Sequence, residues 1–264
     1  MKYSDLDGVP NFEAYELDKK KTKYCLLIPI INEGDRIKKE LLRAKEADIN
    51  NLCDIIICDG DSTDKSTEQN SLKSMGANTL LIKKDEGKQG AQLRMGLWWA
   101  LKRGYEGIIT IDGNNKDSIE SVPIFIDKLD NGFDFIQGSR YIKGGEGINT
   151  PLSRHIAVRF IHAPIISKIA NKKFSDTTNA FRGYSKKYLT HNKVLPLRNI
   201  FMTYELLAYL SVKASKLGLK TCEVPVKREY PINGKMPTKI SPIKGNINLI
   251  KILYKLYKGE YDPK

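Results

Sequence analysis

Short apolar runs alternate with segments of helical periodicity through the first half of the chain. This order limits the fold more than any other feature of the 264 residues. Residues 24–31 (YCLLIPII), 54–58 (DIIIC), 79–82, 107–111 (GIITI) and 133–137 read as strands. Segments from 35 to about 47, about 64 to 75, 89–103 and 118–130 read as helices. The strands are apolar on both faces, which fits a sheet covered by helices on each side. The expectation is an α/β fold, a mainly parallel central sheet flanked by helices in three layers. Ligands of such sheets bind beyond the carboxyl ends of the strands. Asn32-Glu33, Asp59 to Asp61, Lys84-Asp85 and Asp112 to Asn114 each follow a strand end, so polar residues converge on one edge.

The second half is less regular. Helices are expected at 152–171 and 201–217, and a strand at 220–228. We divide the chain into an N-terminal extension (1–23), a catalytic domain (24–241) and a basic amphipathic tail (242–264). Lys and Arg number 44 against 31 Asp and Glu, a net charge of +13. That field attracts polyanions: nucleic acid, anionic lipid or phosphorylated substrates. The basic residues do not interleave with aromatics in a nucleic-acid-binding module, so nucleic acid is not expected as a partner. No apolar run approaches the ~18 residues of a membrane span. The acidic, polar start (Ser4, Asp5, Asp7) is unlike a secretory signal, and a cytoplasmic location follows as an expectation. Cys25, Cys53, Cys58 and Cys222 form no C-x-x-C pair and are expected as reduced core thiols. His155, His162 and His191 lack zinc-ligand spacing.

Nine short motifs follow one another. They are P-I-I-N-E at 29–33, D-G-D-S-T-D at 59–64, G-K-Q-G-A at 87–91, D-G-N-N-K-D at 112–117 and G-S-R-Y at 138–141. Then come D-T-T-N-A-F-R-G-Y at 176–184, Y-E at 204–205, E-V-P-V-K-R at 223–228 and G-K-M-P-T-K-I-S at 234–241. In this order and spacing, over about residues 24–245, the chain resembles family 2 glycosyltransferases of the Rossmann-like GT-A fold. Within them it is most similar to the polyprenyl-phosphate branch, the dolichyl-phosphate-mannose-synthase-like enzymes. The resemblance implies an inverting transfer of a sugar from a nucleotide-diphosphate sugar (GDP- or UDP-linked) to a polyprenyl phosphate. The alternative is a soluble transferase acting on a glycan or small phosphorylated acceptor in surface polysaccharide assembly. A catalytically degenerate, nucleotide-binding homologue is the third reading.

The resemblance also implies residue roles. Pro29, Asn32, Glu33 and Asp59 would line the nucleoside pocket, with Asp61 beside them. Read from the residues alone, Pro29 ends a strand, Glu33 opens a helix and Asp64 caps one. Asp61 stands where the family's commoner D-D-G-S has Gly. Gly87, Lys88 and Gly90 precede a helix, where glycines admit a ligand and the helix start favours anions. Asp112, with Gly113 and Asn114, falls on the family's D-x-D motif, so Asp112 and Asn114 would hold Mg²⁺ or Mn²⁺. Asn114 supplies no charge, and Lys116 and Asp117 stand where the family often has Gln and His. Either Asp112 holds the metal with help from Asn114 or Asp117, or Lys116 replaces part of its charge. Arginine forks match phosphate oxygens. Arg140, Arg228 and Lys235 would serve the donor, and Arg140, Arg154, Arg182 and Lys239 the acceptor. Asp112, Asp176 and Glu205 are the candidate catalytic carboxylates, although Asp176 can equally brace Arg182. Residues 248–257 (NLIKILYKLY) read either as a basic amphipathic helix on a membrane surface or as a last helix packed on the domain.

Overall fold

A computed structural model of the protein describes residues 1–3, 7–232 and 244–263. In chain order β1 (Lys2–Tyr3), β2 (Phe12–Glu16) and β3 (Tyr24–Ile30) precede α1 (Asp35–Glu46), α2 (Ile49–Leu52), β4 (Asp54–Asp59) and α3 (Gln69–Ser74). Next are β5 (Ala77–Lys83), α4 (Gln89–Lys102), β6 (Gly107–Thr110), α5 (Val122–Asp130), β7 (Phe135–Ser139) and β8 (Glu146–Ile148). One continuous helix follows. Its ends are α6 (Leu152–Ile156) and α7 (Ala163–Ala170), and its middle, Ala157–His162, is π-helical. Last come β9 (Arg182–Ser185), α8 (Lys186–Leu189), α9 (Glu205–Lys216), β10 (Thr221–Pro225), β11 (Lys227–Glu229) and α10 (Lys244–Tyr257).

Nine strands form one sheet in the order β1-β2-β5-β4-β3-β6-β9-β7-β10, and β8 with β11 forms a small second one. Seven of the nine run one way, and β2 and β9 oppose them. The mainly parallel sheet is as expected. Side chains of β3 alternate between two cores: Cys25 and Leu27 enter one, Leu26, Ile28 and Ile30 the other. The first core lies under α4, α7, α9 and α10, the second under α1, α3 and α5. Each fully buried Leu or Ile of β3 contributes about 1.5–3 kcal/mol relative to exposure. Cys25, Cys53 and Cys58 are buried free thiols, as the sequence suggests.

Three segments differ from expectation. Residues 1–23 are not an appendage: β2 pairs antiparallel with β5, and Tyr3 and Phe12 stack on each other against Trp98 and Trp99 of α4. The helix expected over 64–75 is cut in two. Asp64 caps a 3-10 turn over Lys65–Thr67, and the Glu68 side chain then caps α3. The strand expected over 220–228 divides after Pro225, where Val226 bonds to Ser139 and β11 leaves to pair with β8. Of the two readings of the tail, packing on the domain is seen: Ile252, Leu253 and Leu256 of α10 are buried in the first core.

Candidate active site

The loops after β3 and β4 are tied together. Asn32 has a left-handed backbone (φ 49) and its Oδ1 accepts the N–H groups of Thr63 (2.8 Å) and Asp64 (3.3 Å). Asp59 is fully buried and its carboxylate accepts the N–H groups of Asp61 (2.9 Å) and Ser62 (2.8 Å). Burial pushes the Asp59 carboxyl up, and the bonds from Ser62 and Asp61 pull it back. Asp59 thus shapes the loop. Asp61, exposed and paired with Lys84 at 3.2 Å, is the residue that reaches outward. Its φ of 73 explains why Gly is usual there, and Asp is among the few other residues that tolerate that conformation. Glu33 is paired with Arg36 at 2.7 Å. Pro29 is buried at the end of β3.

The Gly87 to Gly90 loop presses on the chain leading into α9. A Cβ on Gly90 would lie 2.7 Å from the Phe201 carbonyl oxygen, and the Lys88 N–H donates to the Met202 carbonyl (2.8 Å). Glu205 therefore lies beside this loop, a proximity the sequence does not announce. Its carboxylate accepts the Thr203 N–H (2.6 Å) and hydroxyl (2.7 Å) at the start of α9. Gly113 packs equally tightly, since a Cβ there would lie 2.5 Å from the Ile30 side chain.

Charge concentrates after β6, β7 and β10. Asp112 accepts from Gln89 Nε2 on one oxygen (2.9 Å) and from Arg228 Nη2 on the other (3.1 Å). The Arg228 Nη1 donates to the fully buried Asp117. Burial pushes the Asp117 carboxyl up to about 6, with Arg228 pulling the other way. Tyr230 lies at the centre of a cationic ring: its hydroxyl accepts from Arg140 and Arg154, each at 3.2 Å. Lys116 Nζ lies 5.4 Å from the ring centroid, and the guanidiniums of Arg154 and Arg228 lie at 5.5 and 5.7 Å. Burial raises the Tyr230 phenol, but Arg228, Arg140 and Arg154 outweigh it and hold it below its usual value. Burial and the Arg228 charge lower Lys116. Tyr230 lies outside every motif, and Gln89, inside G-K-Q-G-A, carries no implied role; their contacts reveal both.

Two expected site residues face inward. Arg182 is 1% exposed, and the carbonyls of Asn179 (2.9 Å), Thr177 (2.9 Å) and Leu207 take its guanidinium. It opens β9 facing α9, so it ties sheet to helix rather than binding an acceptor. Asp176 is fully buried in a two-point pair with Arg140 (2.7 and 3.0 Å). It braces Arg140, not Arg182, and in that position it cannot act as a base. Lys235 and Lys239 lie outside the described residues. Asn114 offers a buried Oδ1 with no hydrogen-bond partner among the described residues.

The model of the family described as "Glycosyl transferase family 2" matches residues 25–192, more than half of the chain. The chain is a family 2 glycosyltransferase. The transferase is 26% identical over 167 residues to the dolichol-phosphate mannosyltransferase of Pyrococcus furiosus, a match covering 61% of this chain but only 45% of that relative. It is 24% identical over 211 residues to the polyprenol monophosphomannose synthase of Mycolicibacterium smegmatis, covering 76% of this chain and 75% of that one. Its fold is that of the glucosyl-3-phosphoglycerate synthase of Mycobacterium tuberculosis, crystallised with Mn²⁺, UDP and phosphoglyceric acid (TM-score 0.64, 15% identity, 89% of this chain and 78% of that one). The GT-A expectation is thereby met. Among the described residues, no helix of the transferase is long and apolar enough to cross a membrane.

Proposed function

We propose that the transferase moves a sugar from a nucleotide-diphosphate sugar to a polyprenyl phosphate. The observation that carries this reading is the cationic ring around Tyr230, set beside Asp112 at the carboxyl edge of the sheet. The ring suits two anions, the donor diphosphate near Asp112 and the acceptor phosphate near Arg140 and Arg154. Asp61, Asn32 and the Gly87 loop lie toward the nucleoside. A phosphate oxygen of the acceptor forms the new bond at the anomeric carbon while the bond from that carbon to the diphosphate oxygen breaks. The electron pair leaves with the nucleoside diphosphate, and the configuration inverts. An ionised phosphate carries no proton to remove, so no base is required. Glu205 would matter as a base only for a hydroxyl acceptor.

The test is to offer labelled UDP-glucose and GDP-mannose with undecaprenyl phosphate or 3-phosphoglycerate. Label extracted into organic solvent supports the lipid acceptor. Label kept in an aqueous phosphorylated product supports the small-acceptor alternative, which the Mycobacterium tuberculosis neighbour's phosphoglyceric acid favours. No transfer from any donor to either acceptor would sink both.

A lipid acceptor also needs a surface that meets a membrane. α10 offers Ile247, Ile250, Tyr254 and Tyr257 outward, among the exposed Lys251, Lys255 and Lys258, a face that supports the membrane-surface reading of the tail. The long helix that carries Arg154 adds exposed Leu152, Ile156, Phe160, Ile161 and Ile165, with Arg159 and Lys168 exposed among them. α10 packs on α9 and α7, so the two apolar rows lie on neighbouring helices. Exposed apolar rows edged by cations suit an anionic bilayer. The protein is expected to sediment with phosphatidylglycerol vesicles and not with phosphatidylcholine vesicles, and Phe160→Glu to weaken that binding about tenfold. Equal recovery with and without vesicles would remove the membrane contact.

A further inference from the structure

We infer that Arg228 and Lys116 meet the charge of the donor diphosphate in this chain, so that donor binding needs no divalent ion. The inference rests on the donor-site reading above, and it departs from the Mg²⁺ or Mn²⁺ that the family resemblance implies.

The ligand set does not fit such an ion. Mg²⁺ and Mn²⁺ take a shell of oxygen donors, with carboxylates supplying the balancing charge. Both oxygens of Asp112 are already engaged, one by Gln89 and one by Arg228. A divalent ion on Asp112 would sit against the guanidinium, like charge against like, where little water screens them. Arg228 has nowhere to go. It is 6% exposed, holds Asp112 and Asp117 with separate nitrogens, and lies on a segment bonded to the Asp112 loop. The Ser118 N–H donates to the Lys227 carbonyl (2.9 Å), and the Glu229 N–H donates to the Lys116 carbonyl (2.8 Å). The third motif position, Asn114, offers one unpartnered oxygen without charge. The fifth position, Lys116, is a cation, 7% exposed.

The same residues suit phosphate groups, the donor diphosphate at Arg228 and Lys116 and the acceptor phosphate at Arg140 and Arg154. Lys116, Arg140, Arg154 and Arg228 gather at Tyr230, against the carboxylates Asp112, Asp117 and Asp176. Four cations face three anions before any ligand arrives. In a metal-dependent arrangement the carboxylates would lead and the ion would restore the balance. Here the cations are fixed in the frame, and fixed charge stabilises a leaving diphosphate without rearrangement.

The experiment is calorimetric titration of the whole chain with UDP and with GDP, once in EDTA and once in Mn²⁺. The affinity of the nucleotide that binds is expected to agree within about threefold between the two conditions. The double substitution Asn114→Asp with Lys116→Gln, checked for folding by its melting curve, is expected to lose about tenfold or more in EDTA and, with Arg228 still on Asp112, to stay weak in Mn²⁺. A wild-type protein that binds only with Mn²⁺, or tightens by more than that threefold margin, overturns the inference. It would leave the donor site standing, with Asp112 and Asn114 as ligands. A double variant that keeps its affinity in EDTA also overturns it. Absence of binding by either nucleotide in both conditions removes the donor site and the inference together.

Discussion

Asp176→Asn is expected to lower the free energy of unfolding by about 3–5 kcal/mol, because it strands the Arg140 charge inside the protein. The pair is almost wholly enclosed, with side-chain exposures of 2% for Arg140 and 0% for Asp176. Removing one partner of such a pair costs far more than removing both. Arg140→Met combined with Asp176→Leu is therefore expected to regain most of the loss. Urea denaturation of the three variants gives the comparison. A loss below about 1 kcal/mol for Asp176→Asn would show that the pair is not a brace. The function follows the brace, since Arg140 reaches the Tyr230 hydroxyl only while Asp176 and Thr178 hold its other nitrogens.

Arg154→Ala is expected to act on the acceptor and on little else. Arg154 is half-buried in the first turn of the long helix, and its guanidinium reaches the Tyr230 hydroxyl. Hydrogen bonds to charged groups contribute about 1.5–3 kcal/mol, so loss of the guanidinium should raise KM for undecaprenyl phosphate roughly 10- to 150-fold. Nucleotide affinity should hold, and stability should move by no more than about 0.5 kcal/mol, as for other partly exposed positions. Steady-state kinetics with the acceptor varied, together with nucleotide titration, separates the two effects. A fall in nucleotide affinity with KM unchanged would assign Arg154 to the donor.

The sequence made the central strands legible because β3, β4 and β6 are apolar on both faces and end in polar residues. It made β2 legible too, in retrospect: Phe12 and Ala14 face inward while Glu13 and Tyr15 are only half-buried, a period of two. The short run and the polar text around it hid that signal. β9 carried no periodicity to read. Its four residues, Arg182 to Ser185, lie antiparallel between β6 and β7, and it is that placement which turns Arg182 inward. The site divides in the same way. Which charges stand at strand ends is a local property, and Asp112, Arg140 and Arg228 were visible as candidates. Which charge meets which is not local. Asp117 and Arg228 are 111 residues apart, and Asp176 and Arg140 are 36 apart. Only the folded sheet brings them together, and those pairings decide that Asp176 is a brace and that Asp112 is already engaged.

The π-helical turn over Ala157–His162 makes this part of the gene unequally tolerant of small changes in length. Such a turn carries one residue more than the α-helix around it, and each residue turns a helix by about 100°. Arg154 before the turn faces Tyr230, while Ile166 and Ile169 after it are seated in the core. Loss of one codon within the turn would let the helix become regular with both flanks on their present faces. Gain of a further codon would turn one flank against the other by about 100°, and swing either the arginine off the Tyr230 hydroxyl or the isoleucines out of the core. Point substitutions along the outward face leave that phase untouched. The helix can therefore lose its extra residue at less cost than it can gain another.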